Sequence, residues 1–401
     1  MTTRITFLAH HTASRRVGGA DRSLLALLSG LSDAWVPHVI LPHDGALKSA
    51  LAERGVATTV VPYRNATFAP REGAAGAMRN IASRTRIGGA QAVGARRVMR
   101  AIRQISPDIV YSNSAVLSVG ALAASRLGLA HIWHIREFPD PGRGIVPWCG
   151  WGLHRRLMRR SAACIAITRS VREATLAGLP DERVHVIYNG ILPWQEFVKH
   201  RRAPLEPAAG RPFTFLVLGG LCAAKGQDQA IRALAKVAAV HPDVRLLVVG
   251  GGDAGPLEAL AREKGVADRV EFWGGVPQPW PAFDQSDCTL MCSVWEPMGR
   301  VTVESMAAGV PVIGRASGGT LELIEDNETG LLYDGSGDGL VARMRQMISQ
   351  PGLGASLAQR AWEVAQDRYS IEGYAQRVER VLLGVAQRQM SRDLRAAEAR
   401  V

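Results

Sequence analysis

Two carboxylates, Glu296 and Glu304, stand with seven residues between them in the stretch SVWEPMGRVTVESMAAGVPVIGRASGGTLE, which runs from Ser293 to Glu322. Pro297 and Gly299 mark a turn, Val301 to Ala308 reads as a helix, and Val310 to Ile313 reads as an apolar strand after a Gly-Val-Pro break. Gly299 lets backbone come close to a ligand, the first N–H groups of the helix have no partner within it, and Arg300 lies beside them. N–H donors and a helix dipole suit phosphate, whereas carboxylates suit hydroxyl groups. The stretch therefore fits a diphosphate carrying a sugar at one end and a ribose at the other. A solvated loop beside an ordinary helix is the competing reading, and the dense turn chemistry with a second double glycine, Gly318-Gly319, weighs against it.

A second phosphate signal precedes this stretch. The strand Phe213 to Leu218 opens into GGLCAAKGQDQA, a glycine-rich turn before a helix, in which Lys225 supplies a point charge for a diphosphate. Val244 to Val249 opens into Gly250 to Gly255, formally a GxGxxG and so an invitation to NAD. That turn follows the second strand of its half, and the nearest acid, Glu271, falls inside the next strand and not at its end, so the dinucleotide fingerprint fits poorly. In the first half, Ile5 to Ala9 is a strand leading through His10 and His11 to Gly18-Gly19 and a helix with Leu24, Leu25, Leu27 and Leu28 on its apolar face. The strand Ala130 to Trp133 ends in His134-Ile135-Arg136-Glu137-Phe138, polar residues at the strand end where open α/β sheets bind ligands. A neutral His134 there could take or share a proton.

The elements that position these residues alternate short apolar runs with helical patterns in both halves, which predicts parallel sheets covered on both faces. A chain of 401 residues suggests two domains, and 47% hydrophobic with 21% charged residues is a globular composition. The expected division is a domain over 1–191, a proline-rich and basic linker over 192–211, a second domain over 212–370, and a final helix with a polar tail over 371–401. The stretch Gly275 to Phe283, GVPQPWPAF, reads as a loop. No apolar run reaches the roughly 18 residues that span a bilayer; the nearest, Ala115 to Ala124, reads as a buried helix. The short run Ile5 to Ala9 reads as a strand and not as a signal segment, so a cytoplasmic protein is expected. The five cysteines lack CxxC spacing and read as reduced, mostly buried thiols.

A net charge of +12 favours anionic partners, or reflects arginine on solvated faces. Its clearest concentration is Arg64 to Gly94, with Arg71, Arg79, Arg84 and Arg86 against Glu72, read as a basic flap running into the helix GARRVMRAIRQI. There Val98, Ile102 and Ile105 form one stripe, with Arg96, Arg100 and Arg103 opposite. The segment 71–103 is either a solvated face or a contact with an anionic membrane or phosphate-bearing acceptor. Direct nucleic-acid binding would need aromatic platforms or a reading helix, and neither is visible.

The run E-P-x-G-R-V-T-V-E-x-M-A-A-G-x-P-V-I-G…G-G-x-x-E, Glu296 to Glu322, resembles the signature of family-4 retaining glycosyltransferases, whose α/β architecture, GT-B, sets two Rossmann-like parallel-sheet domains facing across a cleft. The resemblance implies that Glu296 faces the donor sugar, that Glu304 holds the nucleotide ribose, and that Met298 replaces the family's usual Phe, a volume-conserving swap. It implies that Gly18 and Gly19, within the GGA-x-x-S-L run, line the acceptor side, that the turn around Gly252 lies beside base and ribose, and that His134 lies near the donor sugar and the acceptor hydroxyl. Family members also cross back to the first domain with a final helix. The family's G-R-L-x-x-x-K-G is matched at Lys225, but Gly220 stands in place of its arginine.

The expectation is therefore metal-independent transfer from a nucleotide diphosphate sugar to a saccharide or lipid-linked acceptor, with His134 and Glu296 catalytic and Lys225, Gly252, Met298, Gly299, Arg300 and Glu304 binding the donor. No cofactor and no metal ligand set is expected. A sugar-nucleotide epimerase of the same fold and a non-catalytic sugar or anion-binding module are the alternatives. A glycosidase pair is disfavoured because both glutamates sit beside phosphate-binding features.

Overall fold

The computed structural model describes residues 2–10, 17–140, 145–202, 211–350 and 352–398. His11 and Arg400 lie outside the described residues, as does 203–210 of the expected linker. The chain divides into two compact units, one comprising 1–190 with 371–401 and the other 191–370.

Unit 1 contains β1 (Thr3–Leu8), β2 (Trp35–Leu41), β3 (Ala57–Val60), β4 (Thr67–Phe68), β5 (Ile109–Ser112), β6 (Ala130–Ile135), β7 (Val146–Pro147), β8 (Ala163–Ala166) and β9 (Val184–Val186). Seven of these form a parallel sheet in the order β3-β2-β1-β5-β6-β8-β9, while β4 and β7 pair antiparallel as a separate ribbon. Alternation along the strands sends Ile5, Phe7, Val39, Ile109 and Tyr111 into one core with the helix Gly19–Gly30 and with Tyr374, Val378 and Leu382 of the helix Ile371–Glu398. Leu8, Ile40 and Val110 face the other core, against Val98 and Ile102 of one helix and Val119 and Ala123 of the next.

Unit 2 contains β10 (Phe213–Leu218), β11 (Val244–Val249), β12 (Val270–Gly274), β13 (Cys288–Met291), β14 (Val312–Arg315) and β15 (Leu331–Tyr333). They form a parallel sheet ordered β12-β11-β10-β13-β14-β15. Counted within the sheet this is 3-2-1-4-5-6, the doubly wound order, so strand order reverses between β10 and β13 and opens a crevice at their carboxyl ends. In unit 1 the same reversal falls between β1 and β5. Phe215, Val217, Leu246 and Val248 pack under the helices Gln227–Ala238 and Gly337–Ser349, and Leu216, Leu247 and Val249 pack on the opposite face with Phe283 and Val310.

Three expectations are corrected. The basic segment is no flap: one helix, Ala74–Ile105, runs through most of it, because its many alanines and arginines are strong helix formers even where only a narrow stripe is apolar. The expected linker begins with a helix, Trp194–His200, whose Phe197 is buried and whose Phe197 carbonyl accepts from Trp362 Nε1 at 3.0 Å. The stretch GVPQPWPAF contains the start of a short helix, Trp280–Asp284, anchored by buried Phe283.

Candidate active site

In unit 2 the two loops leaving β10 and β13 meet at the switch point. After β10 the backbone N–H groups of Gly219 and Leu221 donate to Val249 (2.8 Å) and Gly251 (2.9 Å), which fastens this loop to the one leaving β11, where Gly252 is exposed. Buried Gln227 holds the same loop from below, its Nε2 donating to the Gly220 carbonyl at 3.1 Å. A tight turn over Ala223–Lys225 then ends at Gly226, whose φ is +69°. A side chain on Gly226 would stand 2.5 Å from the Cys292 carbonyl oxygen, so only glycine lets the β10 and β13 loops touch here. The contact brings Lys225 Nζ to 2.6 Å from Glu296 Oε2.

Glu296 is set from the other side by the loop after β14. Gly319 N–H donates to the Glu296 carbonyl at 2.8 Å, and Ser317 Oγ donates to the Val294 carbonyl at 2.9 Å. A Cβ on Gly319 would lie 2.5 Å from the Pro297 carbonyl oxygen and 2.7 Å from Met298 Cα, which explains the double glycine as close backbone packing. Gly299 caps the helix Arg300–Ala307, Met298 is buried beneath it, and Arg300 Nη2 reaches Glu304 Oε1 at 3.3 Å one turn on. Glu304 is itself buried. Lys225, Glu296, Met298, Gly299, Arg300 and Glu304 are thus gathered at one strand-order reversal. Gly220, where the resemblance calls for an arginine, is exposed, so the side-chain cations at this place are Lys225 and Arg300.

In unit 1 the corresponding reversal brings the helix Gly19–Gly30 beside the end of β5. Asp21 is buried and its Oδ2 accepts from Gly18 N–H at 3.1 Å, while Ser23 Oγ donates to the Gly19 carbonyl at 3.0 Å. Asn113, directly after β5, donates from Nδ2 to the Ala20 carbonyl at 3.3 Å. His134, on the adjacent β6, is fully buried. Its Nδ1 lies 2.5 Å from Tyr111 Oη and 3.2 Å from Arg136 Nη2, and its Nε2 has no hydrogen-bond partner among the described residues. Burial first, and then the Arg136 charge, hold its pKa well below the usual histidine value. The ring is therefore neutral.

Arg136 was not singled out beyond its strand-end position, and it proves to be the hub of this region. Its guanidinium is buried and donates to Asn113 Oδ1 (3.1 Å from Nε, 2.8 Å from Nη2), to Asn189 Oδ1 (2.5 Å) and to Tyr374 Oη (3.1 Å). Glu137 turns away to Ser114 Oγ (2.6 Å) and Ala115 N–H (3.0 Å). These partners come from three separate places in the chain, so no local motif announces them.

The model for glycosyl transferases group 1 matches residues 202–364, and that for glycosyltransferase family 4 matches residues 17–193. An uncharacterized glycosyltransferase of Methanocaldococcus jannaschii is 29% identical over 229 residues, 54% of this chain and 58% of that protein. The D-inositol 3-phosphate glycosyltransferase of Acidothermus cellulolyticus is 30% identical over 289 residues, 63% of this chain and 62% of that protein. The chain thus spans about three-fifths of the length of these curated relatives. The crystal structure of Anabaena HepE in complex with UDP and glucose superimposes with a TM-score of 0.75 at 25% identity, covering 95% of this chain and 99% of that one. With two Rossmann-like parallel sheets, two adjoining family matches and a full-length structural neighbour, the chain belongs to the GT-B glycosyltransferases of the family-4, group 1 type.

Proposed function

We propose that this chain is a retaining glycosyltransferase that moves a sugar from a nucleotide diphosphate sugar to a saccharide or lipid-linked acceptor, in the assembly of a cell-envelope or other glycoconjugate. The observation that carries the reading is the Lys225–Glu296 pair at the β10/β13 switch point, beside the N-terminus of the helix Arg300–Ala307. A cation, a helix N-terminus and a carboxylate beside them are what a bound sugar diphosphate needs: the first two take phosphate charge and the third accepts from sugar hydroxyls.

In the reaction the leaving diphosphate gains negative charge, and Lys225, Arg300 and the helix N–H groups oppose it where it develops. Glu296 orients the donor sugar, Glu304 the ribose, and the turn at Gly252 flanks the nucleoside. On unit 1 the Gly18-Gly19 loop takes the acceptor and His134 contacts a sugar hydroxyl. Protein cations meet the phosphate charge, so the transfer proceeds without a metal ion. Uridine is the first nucleotide to try, since the Anabaena neighbour was solved with UDP and glucose. The helix Ala74–Ile105 exposes Arg79, Arg84 and Arg86 together with Met78 and Ile81, which fits peripheral contact with an anionic, cytoplasm-facing membrane; co-sedimentation with anionic but not neutral vesicles tests this.

The deciding experiment incubates the protein, in the presence of a chelator, with UDP-, GDP-, ADP- and dTDP-sugars and with saccharide and lipid-linked acceptors. Release of one nucleotide only with an acceptor, and a product keeping the donor's anomeric configuration, is the expected result. An isomeric nucleotide sugar formed without acceptor, or no turnover and no thermal stabilisation by any donor, overturns the proposal.

A further inference from the structure

The two neighbours of His134 Nδ1 differ in what they can do. The Tyr111 phenol can donate or accept a hydrogen bond, but a guanidinium can only donate. Arg136 Nη2 stands 3.2 Å from Nδ1, a contact that favours a bare Nδ1, to which Tyr111, at 2.5 Å, then donates as well. The ring proton is then on Nε2. A second proton on Nδ1 would point at a cation, which disfavours the imidazolium in the same stroke.

Arg136 cannot swing away to relieve this. Asn113 and Asn189 present their oxygens to it and Tyr374 its hydroxyl, so that the two Nη2 protons serve Asn113, Tyr374 and His134 together. No carboxylate lies within ion-pair distance of the guanidinium among the described residues, leaving its charge undiminished by a counter-ion beside the imidazole. The groups facing His134 are thus Tyr111 from β5, Arg136 from the end of β6 and Tyr374 from the last helix, with ring centroids of His134 and Tyr374 6.3 Å apart. A buried Nε2–H without a protein partner is costly, and a substrate oxygen would relieve the cost.

We propose that Arg136 is a positioning residue that locks His134 in the neutral Nε2–H form, so that His134 offers substrate a hydrogen-bond donor and cannot act as the base for an acceptor hydroxyl. The substrate half of this statement rests on the proposed function; the tautomer half does not. His134 therefore serves for recognition and orientation, and the acceptor proton has to leave by way of another group.

The test is ring-nitrogen NMR of the full-length protein labelled with ¹⁵N-histidine, with the His134 signals assigned by their loss in His134→Gln. The native protein should show a bare Nδ1 and a protonated Nε2, unchanged from about pH 6 to about pH 8. Arg136→Met should release a mixture of tautomers, Arg136→Lys should restore the single form, and Tyr111→Phe should retain it because Arg136 remains. A native Nδ1–H form or a native mixture overturns the proposal, as does loss of the single form in Tyr111→Phe. If Arg136→Met fails to fold, the native and Tyr111→Phe spectra decide. An Nε2–H tautomer in a protein that turns over no nucleotide sugar keeps the lock and removes the proposed function; turnover with the opposite tautomer does the reverse.

Discussion

Replacing Glu296 with Gln should have opposite effects on nucleotide binding and on catalysis. In the free protein Lys225 Nζ is held 2.6 Å from Glu296 Oε2, with the two side chains 32% and 15% exposed. Water therefore reaches the pair and screens it, so its net worth is that of a partly exposed ion pair, about 1 kcal/mol, and not the bare Coulomb energy. A diphosphate needs the same ammonium and sits beside the same carboxylate. Glu296→Gln removes the competitor, and UDP should bind roughly fivefold tighter, while turnover of the nucleotide sugar is lost because the carboxylate that orients the sugar is gone. Lys225→Ala removes charge-assisted hydrogen bonds of about 1.5–3 kcal/mol and should weaken UDP roughly tenfold to hundredfold. In the double variant the gain from Glu296→Gln should vanish, since there is no lysine left to free. Isothermal titration with UDP and no metal measures all three. If Glu296→Gln weakens UDP, or the gain persists without Lys225, the two groups do not compete for the diphosphate and the assignment of this switch point to phosphate is wrong.

Two further outcomes are expected. Gly319→Ala drives a methyl group into the backbone of Pro297 and Met298, so denaturant unfolding should show a loss of about 1–3 kcal/mol and UDP titration a clear loss of affinity; a neutral result would mean the 296–299 loop does not depend on this contact. His131 is buried with its ring nitrogens 2.9 Å from Ser112 Oγ and 2.8 Å from Ser161 Oγ, and burial lowers its pKa from 6.5 to about 3. The unfolded chain then takes up the proton first, so the stabilising effect is complete above pH 6.5 and is lost as pH falls from there toward the folded value, by about 1.4 kcal/mol per pH unit. Denaturation midpoints between pH 6.5 and about 5 should show a shallower fall in His131→Asn than in the native protein; equal slopes would refute the assignment.

The sheet of unit 2 was legible because a parallel strand covered on both faces reads as one unbroken apolar run. Phe213–Leu218 and Val244–Val249 occupy the expected residues for that reason. The helix Ala74–Ile105 was not legible over its first half, because only a narrow line of it packs. Gly88 there lies against Trp148, where an added Cβ would stand only 2.7 Å from the ring, so this glycine within the helix serves packing. The helix Trp194–His200 has a single buried anchor, Phe197, which is too little for any period to emerge in seven residues.

The residue groups at the two strand-order reversals, one in each unit, differ in how local their chemistry is, and this decides what a sequence can reveal. In unit 2 a turn, a helix N-terminus and both carboxylates follow one another within a single strand–loop–helix, so residue type and spacing carry the geometry directly; only the Lys225 contact needs the fold. In unit 1 the polar residues around His134 come from the ends of β5, β6 and β9 and from the last helix, and each alone looks like an ordinary buried polar residue. His134 could be placed at a strand end, but whether its free ring nitrogen accepts or gives a proton depends on Arg136, and Arg136 depends on Asn113, Asn189 and Tyr374. A histidine's chemistry is set by its neighbours' donors and acceptors, and when those neighbours are distant in sequence, only the folded chain brings the deciding hydrogen bond into view.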